Sequence, residues 1–274
     1  MDTETQSPPE ADTMPAGDWY VIAKASAVKP GQQIRRVFKG KPVLIGRTQA
    51  GELFAMRDIC PHRLVPLSAG KQIDTGGEVT VECPYHGWRF GTDGVCRLIP
   101  SLMAEDPYTA SDFTVAGYGI AERGATVFLC DSPERGLPDA LSENVPGSPK
   151  LHLEESIASA AGVQSNPSTH PLVSCLGWRL EDDGETCVPW AFAAKRLSKK
   201  PAKLSVAPNA PGVWRERLTV EGRYLETMVS LTPVHENRVV GHVLMWWQAP
   251  AAFSLGAWDA RAGVRSYFQS LRAK

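Results

Sequence analysis

Two short boxes constrain this chain more than any other feature: Cys60-Pro61-His62 and, after a gap of twenty residues, Cys83-Pro84-Tyr85-His86 within ECPYHGWRF. Each box offers one thiolate and one imidazole, so the loops carrying them must meet for the four groups to act as one ligand set. Two cysteines and two histidines can hold a single zinc ion, but the usual zinc finger pairs its cysteines first and its histidines second. Here the order is interleaved. That order suits a 2Fe-2S centre in which two thiolates hold one iron and two histidines the other, because each loop then supplies both irons. Cys60 and Cys83 would hold the inner iron, and His62 and His86 the outer one. A structural zinc site is the plainer alternative.

The segments around the boxes read as short strands broken by turns: DWYVIA, KPVLIGR, ELFAMRD, EVTVEC and TVAGYGIAERGATVFLC, with no helix-length periodicity among them. This predicts a small all-β domain of sandwich or barrel type over residues 18–130. GYGIAERG has the glycines of a dinucleotide loop without its spacing or a following helix, and reads as a hairpin turn. Residues 1–17 are acidic and Pro-rich with no apolar signal region, and read as a disordered tail. Residues 131–150 hold four prolines among acids and serines and read as a linker. Beyond it, residues 151–274 predict an α+β domain with a helix laid on an antiparallel sheet. Its elements are a short helix at HLEESIASAAG, a hairpin of RYLETMVSLTP and RVVGHVLMWWQAP, and a C-terminal helix with Trp258, Val264, Phe268 and Leu271 at helical intervals. Adjacent Trp246 and Trp247 would face opposite sides of a strand, so at least one belongs to a core.

At the boxes CPHRLVPLSAG and CPYHGWRF the sequence resembles Rieske iron-sulfur domains, specifically those of the Rieske non-haem iron oxygenases. The four ligands and the Pro, Gly, Trp, Arg and Phe around them all fit. The resemblance implies that Cys60, His62, Cys83 and His86 bind a Rieske 2Fe-2S cluster, with Arg63, Tyr85, Gly87 and Trp88 supporting it. Pro61 and Pro84 would stiffen the loops, and Gly87 would let backbone N–H groups approach the negatively charged sulfides. The connection between the boxes is longer than is usual in the family, and the surplus KQIDTGGEVTV predicts an extended hairpin turning at Gly-Gly. Cytochrome-complex relatives carry a disulfide and hydroxyl donors where this chain has Val65, Tyr85 and Trp88. Fewer donors imply a low-potential carrier fed by a soluble reductase or ferredoxin.

The resemblance also raises a second metal, a mononuclear Fe(II) held by two histidines and a carboxylate. In the family this site resembles a helical Asp-x-x-His-x-x-x-x-His. Outside the boxes the histidines are His152, His170, His235 and His242; no two are five apart and none has an acid three residues before it. Pro167 and Pro171 flank His170 and oppose a regular helix there. The motif is missing, so residues 151–274 resemble a shortened catalytic domain that has lost its iron. The implied role is an electron-transfer subunit of a hetero-oligomeric oxygenase, passing single electrons to a mononuclear iron on a companion chain. One alternative is a self-contained mono- or dioxygenase with its iron on His152, His170 and Glu154 or Glu155, acting on a small aromatic or related organic compound. Another is a structural or regulatory subunit that binds an apolar ligand and uses the cluster as a redox sensor.

Charge and hydropathy narrow the setting. Basic and acidic residues balance at 29 against 30, which gives no electrostatic basis for nucleic-acid binding. The most apolar stretch, residues 239–258, contains His242, Gln248 and Pro250 and alternates like a strand, so no membrane span is expected. A cytoplasmic protein is expected. The cysteines outside the boxes, Cys96, Cys130, Cys175 and Cys187, are expected to pack as small apolar side chains.

Overall fold

The computed structural model describes residues 18–124, 126–138, 141, 149, 151–158, 178–189, 202–210, 213–220, 222–235 and 238–247. Ten short strands form the first half: β1 (Tyr20–Lys24), β2 (Gln33–Phe38), β3 (Lys41–Arg47), β4 (Leu53–Arg57), β5 (Lys71–Thr75), β6 (Glu78–Glu82), β7 (Arg89–Gly91), β8 (Cys96–Leu98), β9 (Gly119–Arg123) and β10 (Thr126–Cys130). They pair antiparallel as three small sheets, β1-β10-β9, β2-β3-β4 and β5-β6-β7-β8. Val43, Leu44 and Ile45 of β3 are all fully buried, since this central strand is covered on both faces and has no solvent side to alternate with. The anticipated Gly-Gly hairpin joins β5 to β6. Gly76 and Gly77 both take positive φ, the backbone that a tight two-residue turn demands.

The second half is one antiparallel sheet of seven strands. Its members are β11 (Leu151–Ala158), β12 (Trp178–Leu180), β13 (Thr186–Pro189), β14 (Ala202–Ala210), β15 (Val213–Val220), β16 (Arg223–His235) and β17 (Arg238–Trp247), in the order β11-β17-β16-β15-β14-β13-β12. The expected hairpin is β16–β17. The helix expected at HLEESIASAAG is not formed there: Leu151–Ala158 is the edge strand β11, paired along β17 from Leu151↔Met245 to Ala158↔Arg238. Glu and Ala favour helix locally, but the open edge of β17 offers a full ladder of backbone partners, and tertiary pairing overrides the weak local preference. The expected C-terminal helix and His170 lie outside the described residues.

Two kinds of contact join the halves. Trp19, Val21, Phe128 and Cys130 pack with Met228, Leu244 and Trp246 in one buried cluster, and Leu141, from the Pro-rich segment, is fully buried among them. Burying that one leucine stabilises the junction by about 2 kcal/mol. Polar stitches run alongside. The β2–β3 turn donates from the Lys39 and Gly40 amides to the Pro233 and Val234 carbonyls, while Thr232 and Ser230 bond to the Val21 backbone. The result is an all-β domain fastened to the face of a broad sheet. Cys96, Cys130 and Cys187 are buried thiols, as expected of small apolar residues.

Candidate cluster site

Both boxes fold as loops of one pattern. In the first, the Cys60 amide donates to Val65 O and the Leu64 amide to Cys60 O; in the second, the Cys83 amide donates to Trp88 O and the Gly87 amide to Cys83 O. Each loop therefore closes on its own cysteine, with a proline in the next position and a left-handed residue three further on. That residue is Leu64 in one loop, at φ 58°, and Gly87 in the other, at φ 70°. Glycine reaches this conformation freely, whereas leucine carries a steric penalty of roughly 1 kcal/mol.

The two loops bring the four candidate ligands together and sort them by element. Cys60 and Cys83 are buried, at 1% and 3% exposure, above an apolar floor of Leu67, Val81, Phe90 and Cys96. His62 and His86 stand exposed at the tip with their Nδ1 atoms 3.1 Å apart. Burial pushes the Cys60 thiol up to about 11, opposed by the amides of His62 and Arg63, which hydrogen-bond to the sulfur. The nearby Cys83 thiol raises it further. Partial desolvation, then the neighbouring His86 and the Arg63 charge, hold His62 below its ordinary value. Trp88 lies flat under His62, 4.9 Å between ring centres, and Tyr85 covers His86 at 3.8 Å while remaining 60% exposed.

Clamps that the sequence did not reveal fix both loops. Asp58, fully buried, accepts from the Ser68 amide and the Ser68 hydroxyl, each at 2.7 Å, and so closes the chain around the first loop. At the base of the second, Arg89 Nε and Nη2 each lie 2.8 Å from Glu82 Oε2, across the β6–β7 ladder. The Arg89 hydrogen bond holds the Glu82 carboxyl below its usual range despite some opposing desolvation. In one sequence an acid beside a ligand box looks like any surface acid, so neither clamp carried a readable signal.

The residues suggested for a separate iron site are placed differently. His152 Nε2 lies 3.2 Å from His242 Nδ1, and His242 is buried in β17. Glu154 is exposed directly opposite His242 in the ladder, and His235 is exposed at the end of β16. The Glu155 side chain lies outside the description. Among the described residues no three His, Cys, Asp or Glu side chains gather around a single point suited to one ion. The box ligands are likewise arranged two and two. This donor set, sulfur pair within and nitrogen pair without, fits a cluster with one thiolate-held and one imidazole-held iron better than a single tetrahedral ion.

A family model for the Rieske [2Fe-2S] domain matches residues 18–114. Residues 18–114 therefore form a Rieske-type domain. Its 4beta-methylsterol monooxygenase relative from Methylococcus capsulatus is 42% identical over 111 residues, 40% of this chain and 29% of that protein. The toluene-4-sulfonate monooxygenase system iron-sulfur subunit TsaM1 of Comamonas testosteroni is 32% identical over 122 residues, 44% of this chain and 33% of that subunit. The chain thus matches a third or less of these relatives' own length. In fold it is similar to the crystal structure of dicamba monooxygenase, with a TM-score of 0.66 at 21% identity, covering 93% of this chain and 85% of that one. No helix among the described residues is long and apolar enough to cross a membrane.

Proposed function

We propose that the chain is the Rieske electron-transfer subunit of a multicomponent oxygenase, with Cys60, His62, Cys83 and His86 as the cluster ligands. The observation that carries this reading is the sorting of the four side chains, thiols buried and imidazoles exposed 3.1 Å apart. When bound there, a 2Fe-2S cluster supplies a carrier of one electron at a time. Burial on the cysteine side excludes water and raises the Cys60 thiol, while the amides of His62 and Arg63 oppose that rise by bonding to the sulfur. The exposed imidazole edges offer N–H groups to a partner's acceptor, a direct route for coupling two redox centres. Beside them Tyr85, against His86, and Leu64, in the His62 loop, are exposed apolar side chains suited to a transient docking partner.

The acceptor would be a mononuclear iron on a companion oxygenase chain, because no pair of histidines in this sequence has the family's spacing. The donor would be a reductase or ferredoxin, and the assembly a cytoplasmic hetero-oligomer. TsaM1, named as the iron-sulfur subunit of a monooxygenase system, supports a place in such a system. The second reading, a self-contained oxygenase with unconventional iron ligands acting on a small aromatic or related organic compound, is favoured by the 85% of dicamba monooxygenase that the fold covers. Stopped-flow mixing of the anaerobically reduced chain with O2 and substrate, with and without a candidate companion chain, separates the two. Rapid reoxidation and product only with the companion, at two irons per chain, supports the carrier; substrate turnover by the chain alone, at three irons, refutes it.

A further inference from the structure

The junction between the two halves carries a half-open cavity of about 340 Å³ that the redox reading leaves unused. Its apolar wall is aliphatic, from Ile22, Val37, Val234 and Val240, with Thr232 beside them. Arg35 and Arg36 line it from β2 and Glu154 from β11. Asp58, 3.6 Å from Arg35 Nε, balances part of the arginine charge, while the charges of Arg36 and Lys24 bear on His242, whose ring forms part of the wall.

The polar groups are mainly donors. Arg36 spends Nε on the Ile22 carbonyl and Nη1 on that of Arg35, and a guanidinium has five N–H groups in all. The histidine pair can be ordered in two ways. If His242 donates to His152, the remaining proton of His152 sits on Nδ1, which is buried without a partner. If His152 donates instead, the buried Nδ1 is an acceptor, and the proton of His242 moves to Nε2. Unpaired buried N–H groups are rarer than unpaired acceptors, so the second order is favoured and His242 carries an N–H on its outer nitrogen.

We propose that this cavity binds a short-chain aliphatic monocarboxylate, its alkyl chain against the valine and isoleucine wall and its carboxylate among Arg35, Arg36 and His242. The volume lies within the usual range for small-ligand sites, and placement between domains is common for them. An occupant touching β1, β2, β16 and β17 would tie the all-β domain to the sheet, stabilising the junction only when bound.

Titration calorimetry on the full chain tests this with hexanoate, its neutral counterpart hexanamide, and three variants. Hexanoate should bind at least tenfold more tightly than hexanamide, and Arg35→Gln and Arg36→Gln should each weaken it at least fivefold. Val37→Phe, which fills the cavity, should abolish binding. Arg36 also braces β1, so the half-exposed Arg35 supplies the variant that leaves the fold intact. Absence of hexanoate binding at millimolar concentration, equal affinity for hexanamide, or unaltered binding in Arg35→Gln would overturn the proposal, including the case in which hexanoate binds elsewhere.

Discussion

Removing the Asp58 carboxylate tests whether the first ligand loop is held from outside its own sequence. The group is fully buried and accepts two hydrogen bonds of 2.7 Å from Ser68. Bonds to a charged acceptor contribute roughly 1.5–3 kcal/mol each, about 3–6 kcal/mol together. Asp58→Ala also removes the cost of keeping a carboxylate out of water, which offsets part of that, so the net loss is about 3 kcal/mol. Arg35 adds little, standing 3.6 Å away with half of its side chain in solvent. Asp58→Asn retains an acceptor for the Ser68 amide and a donor for its hydroxyl, and should lose only about 1 kcal/mol. Urea unfolding with an unchanged slope would read the stability, and visible absorbance per chain the cluster occupancy. A stability order of parent, Asn, Ala is expected, with occupancy falling in the same order. An alanine variant within about 0.5 kcal/mol of the parent, or an asparagine variant as damaged as alanine, would refute the clamp.

Three further outcomes follow from the same geometry. Burial, then the charge of Lys24, lowers the His152 pKa from 6.5 to about 4, so between those values the unfolded chain binds a proton that the folded chain does not. Stability is therefore full above pH 6.5 and falls by up to about 3 kcal/mol as pH drops towards 4, with buried His242 adding in the same direction; urea midpoints that stay level from pH 7 to 4.5 would contradict it. Gly87→Ala forces a Cβ onto a left-handed residue, 3.3 Å from Pro100, and should cost about 1–2 kcal/mol in urea unfolding, whereas Leu64→Gly relieves strain while loosening the unfolded chain and should change stability by less than about 0.5 kcal/mol. Leu64→Gly should nonetheless slow electron delivery to a companion chain in stopped-flow mixing, since Leu64 is 72% exposed beside the histidine pair.

Elements that satisfy a local rule were readable in the sequence. KPVLIGR matches β3 and the paired alternating segments match β16 and β17, because burial there imposes an apolar run or a period of two. The two boxes were readable because their ligand chemistry is concentrated in a few positions. β2 was missed: its adjacent Arg35 and Arg36 break the alternation, and the strand forms because β3 offers it a partner. β7 and β8, three residues each, are too short to show a period. Leu153 and Ser156 of β11 could not announce an edge strand that forms by pairing along β17. Within the site, the pairing of Cys60 with Cys83 followed from ligand order. Asp58–Ser68 and Glu82–Arg89 did not, since each depends on where a distant or returning segment lands.

Pulsed paramagnetic resonance on the anaerobically reduced chain, grown with ¹⁵N-labelled histidine, tests the ligand assignment most directly. Two histidine nitrogen couplings to a cluster of two irons and two acid-labile sulfides are expected, one of them lost in His86→Cys. A chain carrying one zinc and no sulfide, or a cluster signal without histidine nitrogen, would contradict it.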